Sequence, residues 1–414
     1  MNGLFQRYLN TFRGLSRDVW LLALVMLVNR AGAMVLPFLT IYLTKSRGFS
    51  LAEAGMVMSF FGLGSLGGNF IGGWLTDKWR YLRVQVLSLW LAGGMWLVLW
   101  QADTLVEVCL AVFFTSLFAD LLRPANMTAV ELHGVPENRT RALSLIRLAI
   151  NLGFSIGPAA AGFLIASGGY DSLFVIDAIT CWLASLVLIF GLKEKKKGEI
   201  LPPSPSEKDV PAQPVVAALS PYRDRRFLIF ALSQMLVAMA FMQVFSTIPV
   251  YWEQVLHLNE RGIGLLMAAN GLIIVILEMP LIHYLEHKKT PIYWIQAGGL
   301  LIGAGYAVLI LGDAMIFSLI YVILITFGEI FNFPFGSSYA LSIASPSYRG
   351  RYMGLYAMLW SVSFIIAPSS GSYIADHFGY QVLAGVMTLL TLLGCAGLYA
   401  TTRWQARAKL AADL

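Results

Sequence analysis

The residues of this chain that could carry chemistry are ionisable side chains placed inside long apolar runs. Such groups are costly in an apolar environment and usually have a function there. Asp120 and Glu329 are 209 positions apart, within one residue of the offset of an internal repeat described below. A partly desolvated carboxyl can bind and release a proton near neutral pH, because burial favours its neutral form. Glu329 is the first candidate for such proton coupling, and Asp120 and Glu278 are the others.

Other polar and aromatic side chains in these runs could contact a small molecule. Arg30 could attract an anion or hold a carboxylate ionised, while aromatic and Met-rich walls tolerate varied lipophilic ligands. Each of these residues could instead have a structural role in packing or charge pairing. Asp120 could serve simply to neutralise Arg123, and Asp177 could cap a helix or lie at the interface. The predicted substrate-cavity residues are Asn29, Arg30, Phe38, Arg123, Arg147, Asn151, Phe241, Gln243, Asn332 and Trp360.

The elements that must position these residues are membrane helices. Of the 414 residues, 58% are hydrophobic and 13% are charged, against about 25% charged in a soluble protein. Runs of roughly 20 apolar residues, enough to cross a bilayer, recur along the chain. We predict spans near 19–44, 53–76, 84–101, 106–130, 143–166, 172–192, 226–250, 262–285, 291–311, 315–340, 351–375 and 381–402.

The positive charges predict the orientation of these spans. With both termini cytoplasmic, 23 of the 29 Lys and Arg residues fall in cytoplasmic segments, three in external loops and three within spans. This asymmetry satisfies the positive-inside rule. It predicts a multi-pass protein of the plasma membrane, of the bacterial inner-membrane type. The net charge of +6 is therefore assigned to topology and not to nucleic-acid binding, and we expect a monomer in the lipid bilayer.

The chain divides at a polar, proline-rich segment. Residues 193–225 read as a cytoplasmic linker between six-helix bundles at 19–192 and 226–402, with an amphipathic N-terminus at 1–18 and a tail at 403–414. At an offset of 210, Arg141 falls on Arg351, Pro158 on Pro368 and Gly169 on Gly379. Matches at loop charges and prolines favour two parallel repeats, an all-α fold of twelve helices in two pseudo-symmetric bundles.

The loop between spans 2 and 3 resembles the loop signature of the major facilitator superfamily. Gly73, Leu75, Asp77 and Lys78 match Gly-x-Leu-x-Asp-Arg-x-Gly-Arg-Arg, whereas Arg80 replaces the second Gly and only Arg83 remains of the basic pair. The resemblance implies that Asp77 belongs to a conformational latch, with Glu131 at the end of span 4 as its acidic partner. The alternative is a basic turn with a helix-capping Asp. The residues assigned to the latch are Gly73, Asp77, Lys78, Arg80, Arg83 and Glu131.

Span 5 resembles the antiporter signature of the same superfamily. Gly153, Gly157, Pro158 and Gly162 match it. Gly153 and Gly157 would let a neighbouring helix approach closely, and Pro158 would bend the helix. Ordinary small-residue packing explains the pattern equally well. The resemblance is closest to the twelve-span drug–proton antiporter branch.

The resemblance implies a secondary transporter that works by alternating access. The leading hypothesis is proton-coupled efflux of lipophilic or cationic small molecules, and the alternative is uptake of a nutrient such as a peptide or sugar by proton symport. The proton-coupled peptide family carries Glu-x-x-Glu-Arg in span 1, and Met26-Leu-Val-Asn29-Arg30 lacks both acids. The chain shows no phosphate loop, nucleophile elbow or metal-spaced cluster, so we expect no enzyme activity, cofactor or metal.

Overall fold

A computed structural model describes residues 14–134, 139–195, 220–285, 288–344 and 348–412. The predicted N-terminal segment up to residue 13 and the linker residues 196–219 lie outside this range. The described residues form helices joined by turns and short loops, with no β-strand among them. Twelve of the helices are long and apolar enough to cross a membrane. The prediction of an all-α membrane fold with twelve spans is confirmed.

We number these twelve helices α1 to α12, and they agree with the predicted spans to within a few residues, except at the end of span 7. The sequence predicts that this span reaches residue 250, but α7 ends at Phe245 and a separate short helix, Thr247–Gln254, follows. The bounds are α1 Arg17–Ser46, α2 Leu51–Lys78, α3 Tyr81–Gln101, α4 Leu105–His133, α5 Arg141–Gly168, α6 Asp171–Gly191, α7 Arg225–Phe245, α8 Glu260–Leu285, α9 Pro291–Leu309, α10 Met315–Ile343, α11 Arg351–Phe378 and α12 Tyr380–Thr401.

Side-chain caps define where several helices begin. Before α2, the backbone N–H of Ser50 donates to Glu53 (2.8 Å) and the N–H of Glu53 donates to Ser50 Oγ (3.2 Å). Thr104 and Glu107 form the same reciprocal capping box at the start of α4. Each box satisfies backbone donors that have no partner inside the helix.

Equivalent turns and kinks appear in the two halves of the chain. Gly169, before α6, has φ of +78°, and Gly379, before α12, has φ of +87°. Both lie in the left-handed region, which glycine enters without a Cβ clash. Pro158 inside α5 and Pro368 inside α11 each remove a helical hydrogen bond at equivalent positions. The positions that match in the internal repeat therefore also have the same backbone features in the two halves.

The contacts divide the described residues into two compact units. The first unit falls within Met1–Val35 and Leu63–Val215, and the second within Leu36–Gly62 and Val216–Leu414. The second half of α1 and the first half of α2 therefore group with the later helices. The sequence predicts bundles at 19–192 and 226–402, divided in chain order. The contact units group residues by packing, so this division stays a prediction.

In the second unit, small side chains of α2 pack tightly on α11. A Cβ added at Gly55 would overlap the Ser372 side chain, and one at Gly62 would lie 2.9 Å from the carbonyl of Phe364. Between them, Ser59 Oγ lies 2.6 Å from Ser369 Oγ. Without side-chain volume at these positions the two helices come close enough for direct hydrogen bonds.

The end of α1 adds an ion pair to the second unit. Lys45, in the π-helical turn Tyr42–Ser46, places Nζ 2.8 Å from Glu260 Oε1 and 3.6 Å from Glu253 Oε1. One lysine thus joins the turn to the start of α8 and to the helix Thr247–Gln254.

In the first unit, α1 is interrupted between Ala31 and Val35, and Asp177 of α6 compensates for the break. The backbone N–H groups of Met34 and Val35 donate to its two carboxylate oxygens, at 2.9 and 3.1 Å. Asp177 is almost fully buried. Donors at a helix start within the membrane must be satisfied by protein, since water is absent there. Asp177 is therefore a capping residue, one of the two roles considered for it from the sequence.

A buried histidine joins four segments of the first unit. His133, at the end of α4, places Nδ1 2.7 Å from Asp18 Oδ2 and Nε2 2.8 Å from the Tyr81 hydroxyl. That hydroxyl accepts the backbone N–H of Lys195 (3.0 Å), and the His133 carbonyl accepts Ser16 Oγ (2.9 Å). A neutral imidazole that donates to Asp18 and accepts from Tyr81 satisfies the whole chain of hydrogen bonds.

Candidate functional site

In the first unit, two of the predicted arginines lie near one carboxylate. Asp120 is buried, and its Oδ1 lies 3.5 Å from an Arg123 guanidinium nitrogen. Its other oxygen accepts a hydrogen bond from Ser65 of α2. Arg30 of α1 interacts electrostatically with both Asp120 and Arg123. The predicted residues Arg30, Asp120 and Arg123 therefore form one charged cluster, in which two cations face one anion.

The close contact predicted for the α5 glycines is made with the residues around Arg30. A Cβ added at Gly153 would lie 2.5 Å from Arg30 Cβ, and one at Gly157 would lie 3.2 Å from the carbonyl oxygens of Arg30 and Ala31. The Phe154 ring lies below the guanidinium, with 5.4 Å between its centroid and Arg30 Cζ. The glycines thus bring α5 against the charged residue of α1.

The remaining predicted residues of this region are arranged around that contact. Asn29 donates to the Cys181 sulfur of α6 at 3.6 Å. Pro158 lies inside α5 and Gly162 is buried. Asn151 is half-buried and Arg147 is exposed. In a membrane helix, an exposed arginine faces a water-filled space or extends to the headgroups.

Four of the six predicted latch residues line a cavity in the first unit. The cavity has a volume of about 730 Å³, and Asp77, Lys78, Arg80 and Arg83 belong to its wall. Arg80 forms an ion pair at 2.9 Å with Glu194, a residue that follows α6 and that the sequence analysis does not assign to the latch. Lys78 lies over the Trp74 ring, 4.1 Å from its centroid. Glu131 is exposed on the last turn of α4, and Gly73 is half-buried.

In the second unit, a hydrogen-bonded group crosses three helices. Gln234 of α7 donates to Asn332 Oδ1 of α10 at 3.1 Å and to the Tyr356 hydroxyl of α11 at 3.4 Å. Asn332 donates in turn to the Ile295 carbonyl of α9 at 2.8 Å. We call Gln234, Asn332 and Tyr356 the polar bridge. Asn332 is fully buried, so in this structure its amide connects helices.

An aromatic wall lies on the same helices. Phe333 makes edge-to-face contacts with Phe241, at 4.7 Å between centroids, and with Trp360, at 4.5 Å. Glu329 is half-buried and precedes Phe333 by four residues, so the two are neighbours on one face of α10. The structure thus places the predicted residues Phe241 and Trp360 against Phe333, with Glu329 one turn before it on α10 and Asn332 as the preceding residue.

Three other predicted residues are enclosed in the second unit. Phe38 is fully buried, and Glu278 is buried within α8. The amide of Gln243 is occupied at both ends: it donates to the Ala367 carbonyl (2.8 Å) and accepts from Thr247 (2.8 Å). A Cβ at Gly371 would overlap the same amide. The geometry favours a structural role for Gln243, at the place where α7 ends.

Several residues of these sites are not among the sequence predictions. Gln234 is an isolated amide in the apolar run of α7, and the same rule that selects Asn332 would have selected it. Ser65 and Phe154 carry no such signal, because serine and phenylalanine are common in membrane helices. Glu194 falls in the predicted linker, since it begins a charged segment.

Twelve spans, an internal repeat and charged groups inside the helices are features of membrane transporters. The sequence model of the Major Facilitator Superfamily matches residues 19–368 and 331–412. The chain belongs to this superfamily, as its loop and span 5 motifs indicated.

Individual relatives are distant but extend over most of the chain. An uncharacterized MFS-type transporter of Bacillus subtilis, YqjV, is 26% identical over 385 residues, 88% of each chain. A Na(+), Li(+), K(+)/H(+) antiporter of Planococcus maritimus is 25% identical and covers 83% of this chain and 86% of its own length. The crystal structure of a mutant of the peptide transporter POT in complex with alafosfalin superposes with a TM-score of 0.77 at 17% identity, covering 95% of this chain and 96% of the other. This last likeness shows the fold.

We expect Gly153→Ala to destabilise the protein by about 1–3 kcal/mol, because the new methyl group overlaps Arg30 Cβ in a packed contact. Gly94→Ala is the matched control: it is also a glycine inside a membrane helix, but its added Cβ meets no atom within 4 Å. Thermal unfolding of the two purified variants in detergent measures the difference. Equal melting temperatures would show that α5 does not need a glycine at this contact.

We expect Asp77→Asn to slow transport by roughly two- to fivefold, because an exposed charge at a conformational latch can contribute up to about 1 kcal/mol to the conformational equilibrium. Amounts of folded protein should be unchanged. Asp103→Asn, in the loop at the other end of α3, is the control and should leave the rate unaffected. Transport rates of the two variants in proteoliposomes provide the test, and an unaltered rate in Asp77→Asn would remove this residue from the latch.

Proposed function

We propose that the protein is a proton-coupled antiporter that exports lipophilic small molecules by alternating access. Membership of the superfamily supports secondary transport, and a relative named as a cation/H(+) antiporter supports exchange against protons. The observation that carries the proposal is the position of Glu329 one helical turn before Phe333 of the aromatic wall. A titratable carboxyl next to an apolar binding surface allows protonation and substrate occupancy to influence each other.

The aromatic wall supplies the lipophilic contact. Phe241, Phe333 and Trp360 pack edge to face and leave Phe333 and Trp360 only half-buried. Aromatic rings offer a large apolar area with few rotatable bonds, so they bind varied apolar groups at low entropic cost. The polar bridge lies one residue away at Asn332 and holds α7, α10 and α11 in register.

The carboxyls differ in how well they suit proton coupling. Asp120 is paired with Arg123 and bonded to Ser65, and it also compensates the charge of Arg30. A carboxylate with these partners is needed to neutralise the arginines. Glu329 lies in the other half of the repeat at the position equivalent to Asp120, and we assign it the proton. Glu278, which is buried in α8, is the second candidate.

The sequence hypothesis also included cationic substrates and, as an alternative, uptake of nutrients by symport. In the first unit, Arg30 and Arg123 lie near a single carboxylate, so this region carries an excess of positive charge. That excess argues against a cationic substrate there. The absence of both acids from Met26-Leu-Val-Asn29-Arg30 argues against the peptide symporters. Proton antiport of lipophilic molecules remains the reading that these side chains support.

We expect Glu329→Gln to abolish transport driven by a pH gradient, because the amide cannot release a proton. Proteoliposomes with an acidic interior would be assayed for uptake of benzenesulfonate and benzyltrimethylammonium, which carry permanent opposite charges. Wild-type uptake of benzenesulfonate should exceed that of benzyltrimethylammonium, should collapse with a protonophore and should persist when external Na⁺ is replaced by choline.

Asp376→Asn, at the exposed end of α11, serves as the control for Glu329→Gln and should retain the wild-type rate. Protonophore-sensitive accumulation by Glu329→Gln would place the proton elsewhere, and Glu278 would be tested next. Loss of wild-type uptake in choline, with no effect of the protonophore, would replace proton coupling with sodium coupling.

We further propose a monomer in the plasma membrane with both termini and the linker cytoplasmic, on the distribution of Lys and Arg. A membrane-impermeant thiol reagent should label Arg261→Cys, in a predicted external loop, in intact cells but not Pro205→Cys in the linker. The native cysteines are buried and give little background. Labelling of Pro205→Cys would reverse the orientation.

A further inference from the structure

Arg30 is a fixed cation close to the break in α1. The helical segment Arg17–Ala31 ends one residue after it, and the chain becomes helical again at Val35. A guanidinium keeps its charge under all physiological conditions and offers five N–H donors in a planar fork. Inside a membrane protein such a group requires both an opposite charge and hydrogen-bond acceptors.

The described residues of the first unit do not supply enough of either. Arg30 Nε is buried and has no acceptor among the described residues. The two buried carboxylates of this unit are, within the described ranges, Asp120 and Asp177. Asp177 is occupied by the backbone N–H groups of Met34 and Val35. Asp120 forms its ion pair with Arg123 and accepts from Ser65, so it acts on Arg30 only as a nearby charge.

The guanidinium is also held in position. Gly153 and Gly157 bring the α5 backbone against Arg30 and Ala31, and the Phe154 ring lies 5.4 Å from Arg30 Cζ. The neighbouring Asn29 is tied to Cys181 of α6. A charged group with this support loses little conformational entropy when a ligand binds, so more of the interaction energy appears as affinity.

We propose that Arg30 and Phe154 form a subsite for the carboxylate of an aromatic monoanion. The planar fork of Arg30 matches a carboxylate, which would receive the unused donors. The surplus of one positive charge, from Arg30 and Arg123 against Asp120, corresponds to one negative charge on the ligand. The Phe154 ring provides a surface for its apolar part. The subsite gives a substrate class to the proposed transport function and rests on it.

The test compares three ligands that share a phenyl ring: benzoate, benzyl alcohol and benzyltrimethylammonium. Each is titrated to millimolar concentration into the purified full-length protein in detergent, and the melting temperature and heat of binding are recorded. Benzoate should bind the wild type most tightly. Arg30→Gln should weaken benzoate binding by about 10- to 100-fold, the loss expected for hydrogen bonds to a charged group, with no effect on benzyl alcohol.

Asp120→Asn gives the opposite sign and separates a binding role from a structural one. Removing the competing carboxylate should tighten benzoate binding, because the positive charge left for the ligand increases. Arg30→Lys, which retains the charge but not the fork, should bind with intermediate affinity and covers the case in which Arg30→Gln does not fold.

Three results would overturn the subsite: equal affinity of wild type and Arg30→Gln for benzoate, weaker binding by Asp120→Asn, or failure of benzoate to bind the wild type. Binding is measured without a proton gradient, so it is independent of energy coupling. Benzoate binding that depends on Arg30, together with transport insensitive to protonophore, would keep the subsite and reject the proton antiport.

Discussion

The cost of placing charge and unpaired backbone groups in an apolar medium governs this structure. A soluble protein can leave a carboxylate or a helix end to water, but a membrane helix cannot. The two buried carboxylates described in the first unit, Asp120 and Asp177, illustrate that rule. The break in α1 leaves two backbone N–H groups without helical acceptors, and they donate to Asp177. Asp120 forms an ion pair with Arg123. Arg30 is a fixed cation whose buried Nε has no acceptor among the described residues, and it therefore carries the functional argument.

Close helix packing allows a small number of polar groups to connect the helices. Gly153 and Gly157 admit the α1 backbone, and Gly55 and Gly62 admit α11. Larger side chains at these positions would separate the helices and place the hydrogen bonds of Ser59 with α11 and the contact of Arg30 with Phe154 out of reach. In lipid, where apolar side chains gain little by leaving the solvent, such contacts supply much of the association energy between helices.

The sequence predicted the spans because a membrane helix needs about 20 apolar residues and little else. It predicted the α5 contact in general terms, since glycine spacing reports close approach but not the partner, and Arg30 could not be named. The roles of individual polar residues depended on contacts between distant positions. Gln243 resembles a cavity residue because its type is rare in α7, yet the turn at Thr247 and the carbonyl of Ala367 occupy its amide. From the sequence, His133 is only a residue near a span end, and the fold alone shows Asp18 and Tyr81 on its two nitrogens. No local pattern encodes such pairings.

The packing of α2 on α11 has a consequence for how the chain is made. Ser59 and Ser369, which meet in the second unit, are separated by 310 positions. A ribosome adds roughly 5–20 residues per second, so Ser59 leaves it on the order of 15–60 seconds before Ser369 exists. During that interval the glycine-lined face of α2 has only lipid, the translocation machinery or other early helices as neighbours. The second unit is therefore completed late in synthesis. A chain that stops before α11 leaves Ser59 and the glycine-lined face of α2 exposed to the membrane.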